Sequence, residues 1–116
     1  MRFDVRVILF AEFCDRISVM LTREDILQFL RENKERFANQ YGVTKIGLFG
    51  SFARNEATEE SDVDVCVEIA QPTYDGMFDL REEIVERTLR EVDLIRVRDG
   101  MNKILKKFID KDAVYV

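Results

Sequence analysis

The stretch GSFARNEATEESDVDV, residues 50–65, decides the fold of this 116-residue chain. Before it, residues 44–49 (TKIGLF) have the apolar composition of a buried strand that breaks at Gly50. At its end, residues 63–69 (VDVCVEI) alternate between apolar and polar side chains, which indicates a second strand. The pattern therefore predicts two strands joined by a turn, with a short helix over residues 51–54.

Two aspartates stand at the start of the second strand. Asp62 and Asp64 are two residues apart, so both carboxylates project from one face while the valines beside them point to the core. Carboxylates held this close repel each other when ionised and tend to recruit a cation. The chain contains no histidine, which leaves oxygen ligands of the kind that magnesium prefers. We therefore predict that Asp62 and Asp64 bind magnesium, as two ions in the arrangement used for in-line displacement at phosphorus.

Gly50 and Ser51 are predicted to bind the phosphates of a nucleotide. A glycine at the end of a buried strand lets the backbone approach a ligand, and Ser51 would begin the short helix with free backbone N–H groups. The metal ions at the aspartates would then bridge those phosphates and the attacking oxygen. Arg54 has two interpretations: it contacts a phosphate or a partner protein, or it balances the charges of Glu56 and Glu59.

A third carboxylate, Asp93, is the predicted completion of the metal site. It lies within residues 92–97 (VDLIRV), which predict a third strand, and it is the only acidic residue in that run. Burying a carboxylate beside Leu94 and Ile95 without a partner is costly, so a metal ion is the expected partner. The alternative is a surface aspartate at the edge of the sheet.

Composition and charge exclude several classes of site. With 116 residues, of which 47% are hydrophobic and 35% charged, the chain fits one globular domain without a second, substrate-enclosing domain. Its net charge of −5 argues against a DNA-binding surface, since phosphates require a cationic face. The lack of histidine excludes histidine-based triads and histidine-ligated zinc. Cys14 and Cys66 have no metal-binding spacing, and we expect them to be packing residues in a reducing cytoplasm.

Residues 1–19 form a separate segment with two interpretations. Their apolar run, residues 5–11, is interrupted by Arg6 and is too short to cross a bilayer, so we expect no membrane association. The segment also lacks the cleavage site of a secretory signal. It is either an extension that precedes a natural start at Met20 or an additional edge strand. We assign the folded domain to residues 20–116.

A long helix is predicted before the first strand. Thr22 and Asp25 resemble a capping box at its start, and it ends near residues 39–42, where Gly42 can take the left-handed conformation that closes helices. Its apolar residues recur at helical spacing. The side chains expected to be buried are Ile26, Leu27, Leu30 and Phe37.

Two further helices and a short strand are predicted in the second half. The first helix spans residues 77–90, the second runs from its cap Asp99 to about Lys111, and a strand over residues 113–116 follows. The apolar sides of the two helices comprise Phe78, Ile84, Val85 and Leu89 in the first, and Ile104, Leu105, Phe108 and Ile109 in the second. The predicted fold class is α+β, a small mixed β-sheet with helices packed on it.

In this order, the motifs resemble the signature of the DNA polymerase β-type nucleotidyltransferase superfamily. That signature is a Gly-Ser pair followed, after ten residues, by Asp-x-Asp, and Gly50-Ser51, Asp62 and Asp64 match it position by position. Many relatives have glycine where this chain has Asn55. Asparagine tolerates the left-handed backbone conformation well, so we expect the turn to be kept.

More narrowly, the chain resembles the minimal nucleotidyltransferases (MNT), the MntA-type antitoxins of HEPN–MNT toxin–antitoxin pairs. The short length, LFGSFAR at residues 48–54, VDLI at residues 92–95 and the ending AVYV carry this resemblance, which extends over residues 22–116. It implies a DNA polymerase β-like nucleotidyltransferase core for residues 20–116, the minimal nucleotidyltransferase domain.

The resemblance also implies a function. Members of this group use ATP and magnesium to transfer AMP to a tyrosine of the partner HEPN ribonuclease, so the expected partner is a HEPN-family toxin in a hetero-oligomer. The three aspartates are then the catalytic metal ligands, and Gly50, Ser51 and Arg54 are the nucleotide-binding residues. Two alternatives stay open: an antitoxin that acts by stoichiometric binding alone, and a stand-alone nucleotidyltransferase that modifies a small molecule or RNA.

Overall fold

The computed structural model describes residues 21–116, so the two interpretations of residues 1–19 lie outside the described residues. In chain order the elements are α1 (Arg23–Tyr41), β1 (Val43–Phe49), α2 (Gly50–Ala53), β2 (Val63–Ile69), α3 (Tyr74–Thr88), β3 (Val92–Arg96), α4 (Lys103–Asp112) and β4 (Val114–Tyr115). No helix within this part of the chain has the length and apolarity needed to span a membrane.

The strands form one mixed sheet in the order β3-β2-β1-β4. Strand β1 pairs antiparallel with both β2 and β4, whereas β2 and β3 are parallel. The parallel connection is made by α3, because parallel neighbours need a crossover long enough to return the chain to the same end of the sheet. The prediction of an α+β fold with a small mixed sheet is confirmed.

Helix α1 begins and ends as its sequence indicates. The Thr22 side chain accepts a hydrogen bond from the backbone N–H of Asp25, and the Asp25 carboxylate accepts one from the backbone N–H of Thr22. At the other end Gly42 has φ +74°, and its N–H donates to the carbonyl of Ala38. The predicted capping box and glycine C-cap are confirmed, and the helix delivers the chain directly into β1.

The larger core lies between the sheet and helices α1 and α3. Alternate residues of β2 point into it, as the sequence alternation predicted, and so do the four apolar residues expected on α1. Its buried side chains are Ile26, Leu27, Leu30, Phe37, Val43, Ile46, Leu48, Phe52, Val63, Val65, Val67, Leu80, Ile84 and Val92. The polar residues of β2 therefore face the opposite side of the sheet.

That opposite side carries a smaller core, which α4 covers. Its buried members are Phe49, Cys66, Met101 and Ile109. Cys66 is a buried packing residue, as predicted, whereas Cys14 lies outside the described residues. Because successive residues of a strand alternate in direction, Asp64 shares this second side with Cys66.

Helix α3 differs from its prediction in its start and in its buried side. It begins at Tyr74 rather than at residue 77, because the Thr73 side chain accepts from the N–H of Gly76 and caps the helix earlier. Phe78 and Leu89 were expected in the core but are exposed. Of the four predicted residues, Ile84 is buried and Val85 partly so, and Leu80, four residues before Ile84, is buried as well.

Helix α4 differs in the same way. Its cap is Asn102, whose side chain accepts from the N–H groups of Ile104 and Leu105, and not Asp99. Of the four apolar residues expected to be buried, Ile109 is buried and Leu105 partly so, but Ile104 and Phe108 are exposed. On α4, only the side that carries Leu105 and Ile109 packs against the sheet. The sheet therefore does not cover all four apolar residues.

Candidate active site

The turn after β1 brings its backbone against Asp64. Gly50 has φ +73°, a left-handed conformation that favours glycine, and it follows Phe49, which pairs in register with Asp64. A Cβ atom at position 50 would stand 2.1 Å from Oδ2 of Asp64. A larger residue at position 50 would therefore displace the Asp64 carboxylate and adopt a strained backbone angle.

Helix α2 starts at this turn and has no side-chain cap. Its cap residue is Phe49, and among the described residues no side chain accepts a capping hydrogen bond from the first N–H groups of the helix. Ser51 is partly exposed, and its carbonyl accepts from the N–H of Glu56. Asn55 has φ +61°, which confirms the expected left-handed conformation at that position. The predicted short helix is present, and its first residue, Gly50, lies against the Asp64 carboxylate.

The loop from α2 to β2 is held by Arg90, a residue that the sequence did not single out. Its guanidinium donates to the carbonyl oxygens of Thr58 and Ser61 at 2.8 and 3.0 Å, and lies 5.4 Å from the centroid of the Phe52 ring. Asp62 follows Ser61 directly, so Arg90 positions the segment that presents this carboxylate. No local pattern marks Arg90, because it acts on residues distant in the chain.

Three aspartates lie at the same end of the sheet. Asp64 and Asp93 pair in register on the neighbouring parallel strands β2 and β3, and Asp62 lies one residue before β2 begins. Asp64 is half-buried, while Asp62 and Asp93 are exposed. Asp64 therefore lies beside Asp93 on the neighbouring strand and two residues after Asp62.

The environment of Asp64 favours a positive charge. Burial, then the charge of Asp93 within hydrogen-bonding reach, and the charge of Asp62 raise the pKa of Asp64 to about 6. A cation bound beside these carboxylates would relieve this repulsion. As they stand, no three acidic, histidine or cysteine side chains within residues 21–116 enclose a metal ion. The oxygen-only donors and their mutual repulsion nevertheless fit magnesium.

Asp93 is less buried than its apolar sequence context indicated. Strand β3 is an edge strand of the sheet, and Asp93 is exposed on it. The expectation of a costly buried carboxylate was therefore wrong, because an edge strand leaves one side open to water. What distinguishes Asp93 from an ordinary surface aspartate is its register with Asp64.

Arg54 pairs with carboxylates on two sides. It donates to Glu56 at 3.1 Å, one of the two partners expected from sequence, and to Asp112 at 2.6 Å. The Asp112 side chain is only 6% exposed and lies at the end of α4. Within the described residues Arg54 makes no ion pair with Glu59. Asp112 is a second residue that sequence reasoning missed, and it holds Arg54 beside the helix that begins at Gly50.

The arrangement combines oxygen ligands for a cation with backbone donors for an anion. Asp64 has Asp93 of strand β3 on one side and Gly50, the first residue of α2, on the other side. Such an arrangement fits a nucleotide–metal complex: the aspartates would hold the metal ion and the start of α2 would face the phosphates.

Sequence comparison places this chain in a known family. The profile of the nucleotidyltransferase domain matches residues 26–116. A relative from Methanocaldococcus jannaschii, named as a candidate protein adenylyltransferase, is 40% identical over 100 residues, which cover 84% of this chain and all of the relative. The protein adenylyltransferase MntA of Thermococcus cleftensis is 34% identical over 98 residues, which cover 84% of this chain and 98% of MntA.

Comparison with solved structures shows the same fold. A crystal structure of a toxin–antitoxin with AMP-PNP matches with a TM-score of 0.60 and 22% identity over 82% of this chain and 72% of that chain. The complex of a tri-AMPylated Shewanella oneidensis HEPN toxin with an MNT antitoxin matches with a TM-score of 0.54 and 18% identity, over 77% of this chain and 70% of that chain. The chain belongs to the nucleotidyltransferase domain family, and it is an ATP-dependent nucleotidyltransferase related to the MntA protein adenylyltransferases.

Proposed function

We propose that this chain transfers AMP from ATP to a tyrosine of a cognate HEPN-family ribonuclease and so acts as the antitoxin of a toxin–antitoxin pair. The observation that carries the proposal is the position of Asp64, which lies against the turn at Gly50, in register with Asp93 and two residues after Asp62. An antitoxin that acted by binding alone would have no need for three mutually repelling carboxylates, whose clustering destabilises the metal-free protein.

The three aspartates are the residues that would hold two magnesium ions. Asp64 is the central ligand, since it interacts with both Asp93 and Asp62. Bound magnesium would neutralise charge on the phosphates and polarise the attacking oxygen. Asp93, exposed on the edge strand, would also be able to accept the proton of an incoming hydroxyl group.

The triphosphate of ATP is assigned to Gly50, Ser51 and Arg54. The uncapped N–H groups at the start of α2 and the Ser51 hydroxyl donate to phosphate oxygens. Arg54 adds a positive charge that Asp112 and Glu56 hold on the same side of the fold. These groups orient the α-phosphorus relative to the carboxylates.

The reaction is an in-line displacement at this α-phosphorus. The tyrosine oxygen of the acceptor forms a new bond to phosphorus, the bond between the α- and β-phosphates breaks, and pyrophosphate leaves with its electron pair. The phenolic proton passes to Asp93. The chain forms no covalent intermediate in this step, and its contribution is positioning and the neutralisation of charge.

The choice of acceptor is supported by the relatives. One is named protein adenylyltransferase MntA, and one structural neighbour contains a HEPN toxin that carries AMP groups. Those descriptions concern those proteins. The carboxylate cluster of this chain supplies the chemistry that such a reaction requires.

The test is to mix the chain with its cognate HEPN-family protein, ATP and magnesium, and to weigh both proteins by intact mass spectrometry. We expect one or more AMP additions to the HEPN protein, located on tyrosine by fragmentation. The additions should disappear in Asp62→Asn plus Asp64→Asn and in magnesium-free buffer. The exposed substitution Asp99→Asn, away from the cluster, is the control and should keep the wild-type rate.

The other readings give different outcomes. Neutralisation of the ribonuclease without any mass increase would support the stoichiometric antitoxin instead. A mass increase that persists in the double substitution would show that the aspartates do not perform the transfer. Labelling of RNA or of a small molecule, with none on the HEPN protein, would indicate the stand-alone transferase.

A further inference from the structure

Helix α4 exposes two large apolar side chains on one side. Ile104 is 68% exposed and Phe108 is 55% exposed, and they are four residues apart, so they lie next to each other on the helix surface. Lys107 and Lys111 follow them at intervals of three residues and are also exposed. We call Ile104, Lys107, Phe108 and Lys111 the α4 stripe. Nothing within the described residues covers it.

The contacts of α4 fix the direction in which the stripe faces. Ile104, Phe108 and Asp112 are spaced by four and share one side of the helix, and Asp112 contacts Arg54 at 2.6 Å. On another side, Lys106 pairs with Asp110, whose charge acts on Tyr115 of β4. The α4 stripe therefore does not lie on the β4 side of the helix. It lies on the side where Asp112, one turn further along α4, contacts Arg54 at the end of α2.

The stripe is cationic in an acidic protein. The chain has a net charge of −5, yet four of its six lysines lie in α4. Within residues 21–116, Lys107 and Lys111 make no ion pair. An apolar pair bordered by two free lysines is complementary to a protein segment that presents apolar side chains among carboxylates.

We propose that the α4 stripe is the docking surface for the acceptor protein, and that it receives an acidic segment with apolar side chains. This inference rests on the proposed function, because it takes the acceptor to be the HEPN-family protein. The apolar pair supplies affinity and the lysines supply the rate of association. Docking one helical turn away from Arg54 would bring the acceptor hydroxyl towards the aspartates.

The test is Ile104→Gln plus Phe108→Gln in the full chain, with the HEPN-family protein as acceptor. Both side chains are exposed, so folding is expected to be retained. We expect the KM for the acceptor to rise about tenfold or more, as for the loss of an apolar anchor, while kcat at saturating acceptor and the affinity for a fluorescent ATP analogue stay unchanged. Lys107→Gln plus Lys111→Gln should slow association and weaken its dependence on salt.

The matched control is Tyr74→Gln plus Phe78→Gln. These residues are also apolar, exposed and four apart, at 97% and 61% exposure, but they lie on α3, which packs on the opposite side of the sheet. The control should leave the KM for the acceptor unchanged. An equal rise in the control, or no rise in the α4 variant, would overturn the proposal.

Two other results would also overturn it. Loss of affinity for the ATP analogue in Ile104→Gln plus Phe108→Gln would mean that the stripe binds the nucleotide. A change in the self-association of the chain alone, measured by analytical ultracentrifugation, would mean that it binds a second copy.

Failure of the proposed function can be told apart from failure of the stripe. If the wild-type chain transfers no AMP, the proposed function fails, and the stripe is judged by the Kd of the unmodified complex from titration calorimetry. A Kd that is weakened about tenfold or more in the α4 variant still supports the surface. An unchanged Kd, or no binding by the wild type, refutes it.

Discussion

Gly50 is required for two independent reasons, its backbone angle and its distance from Asp64. With φ +73° it occupies a conformation that disfavours a Cβ atom, and that atom would stand 2.1 Å from the Asp64 carboxylate. We expect Gly50→Ala to lower the free energy of unfolding by about 1 kcal/mol or more and the rate of AMP transfer by about a hundredfold, because Asp64 is displaced. Urea unfolding and the transfer assay measure the two effects.

Gly42→Ala separates these two reasons. Gly42 has nearly the same angle, φ +74°, but a Cβ there would contact only Cγ2 of Ile69, at an ordinary 3.8 Å. Gly42→Ala should lose a similar amount of stability, because its backbone angle is equally strained, but it should keep the transfer rate. If Gly50→Ala kept its activity, the close approach to Asp64 would have no catalytic meaning.

Arg90 is expected to influence catalysis without touching the substrate. Its two hydrogen bonds to the carbonyl oxygens of Thr58 and Ser61 fix the loop before Asp62. We expect Arg90→Gln to reduce kcat about tenfold to a hundredfold, since a misplaced ligand is costly, with the affinity for the ATP analogue little changed. Arg98→Gln is the control, because Arg98 is exposed and bonds only to the nearby carbonyl of Arg96. A rise in the KM for ATP alone would place Arg90 at the nucleotide instead.

Sequence reasoning found the residues of the site that carry a local pattern. Asp62 and Asp64 are recognisable because a spacing of two in a strand is a local property. Arg90 and Asp112 were missed, because they act on residues 32 and 58 positions away, at Thr58 and Arg54. Such pairings depend on the packing of whole elements, which no short motif records.

At the scale of elements, α1 and α3 share a polar contact in addition to their apolar packing. Arg36 donates to Glu83 at 2.6 and 3.3 Å, and the Tyr41 hydroxyl donates to the same carboxylate. Burial alone would raise the pKa of Glu83, but hydrogen bonds from Arg36 and Tyr41 hold it below its ordinary value. The ionised carboxylate is thus stabilised in the folded protein.

Glu83→Gln tests this contact through pH. Because the folded-state pKa of Glu83 is lowered, its contribution is present above the unfolded pKa and is lost as the pH falls through the folded value. At about neutral pH we expect the variant to be less stable by about 1 to 2 kcal/mol, and the difference should shrink as the pH falls below the unfolded pKa of glutamate and vanish below the folded one. Urea unfolding at several pH values measures it.

A surface ion pair supplies the comparison. Lys106 and Asp110 are four residues apart on α4 and largely exposed, so Asp110→Asn should change stability by less than about 0.5 kcal/mol at any pH. A pH-independent difference for Glu83→Gln would attribute its effect to packing rather than to charge.

The bounds of a helix were predictable where residues at its own ends determine them. The capping box at Thr22 and the glycine cap at Gly42 gave the correct bounds for α1. The buried sides of α3 and α4 were not predictable in full, because Phe78 and Phe108 have apolar side chains that the narrow contact with the sheet leaves exposed. Which apolar residues are covered depends on the area of the facing element, and this area is not encoded in the helix itself.

At the scale of the whole molecule, the two sides of the sheet are stabilised unequally. The side under α1 and α3 buries a large set of apolar residues, whereas α4 covers a small core around Cys66 and Ile109. Burial of apolar area is the dominant stabilising contribution, so α4 and β4 are expected to open more readily than the rest. The opening of α4 would also break the contact between Asp112 and Arg54.

Native-state hydrogen exchange tests this inequality. We expect amides of α4 to exchange with an opening free energy at least about 2 kcal/mol below that of amides in β1 and β2, on the order of one large apolar side chain. Ile109→Ala and Ile84→Ala form a matched pair, since both side chains are 0% exposed. Ile109→Ala should lower the opening energy of α4 by about 2 to 4 kcal/mol and leave β1 and β2 nearly unchanged, whereas Ile84→Ala should lower all of them together. Equal exchange in α4 and β1 of the wild-type chain would show that the sheet and both of its coverings unfold as one unit.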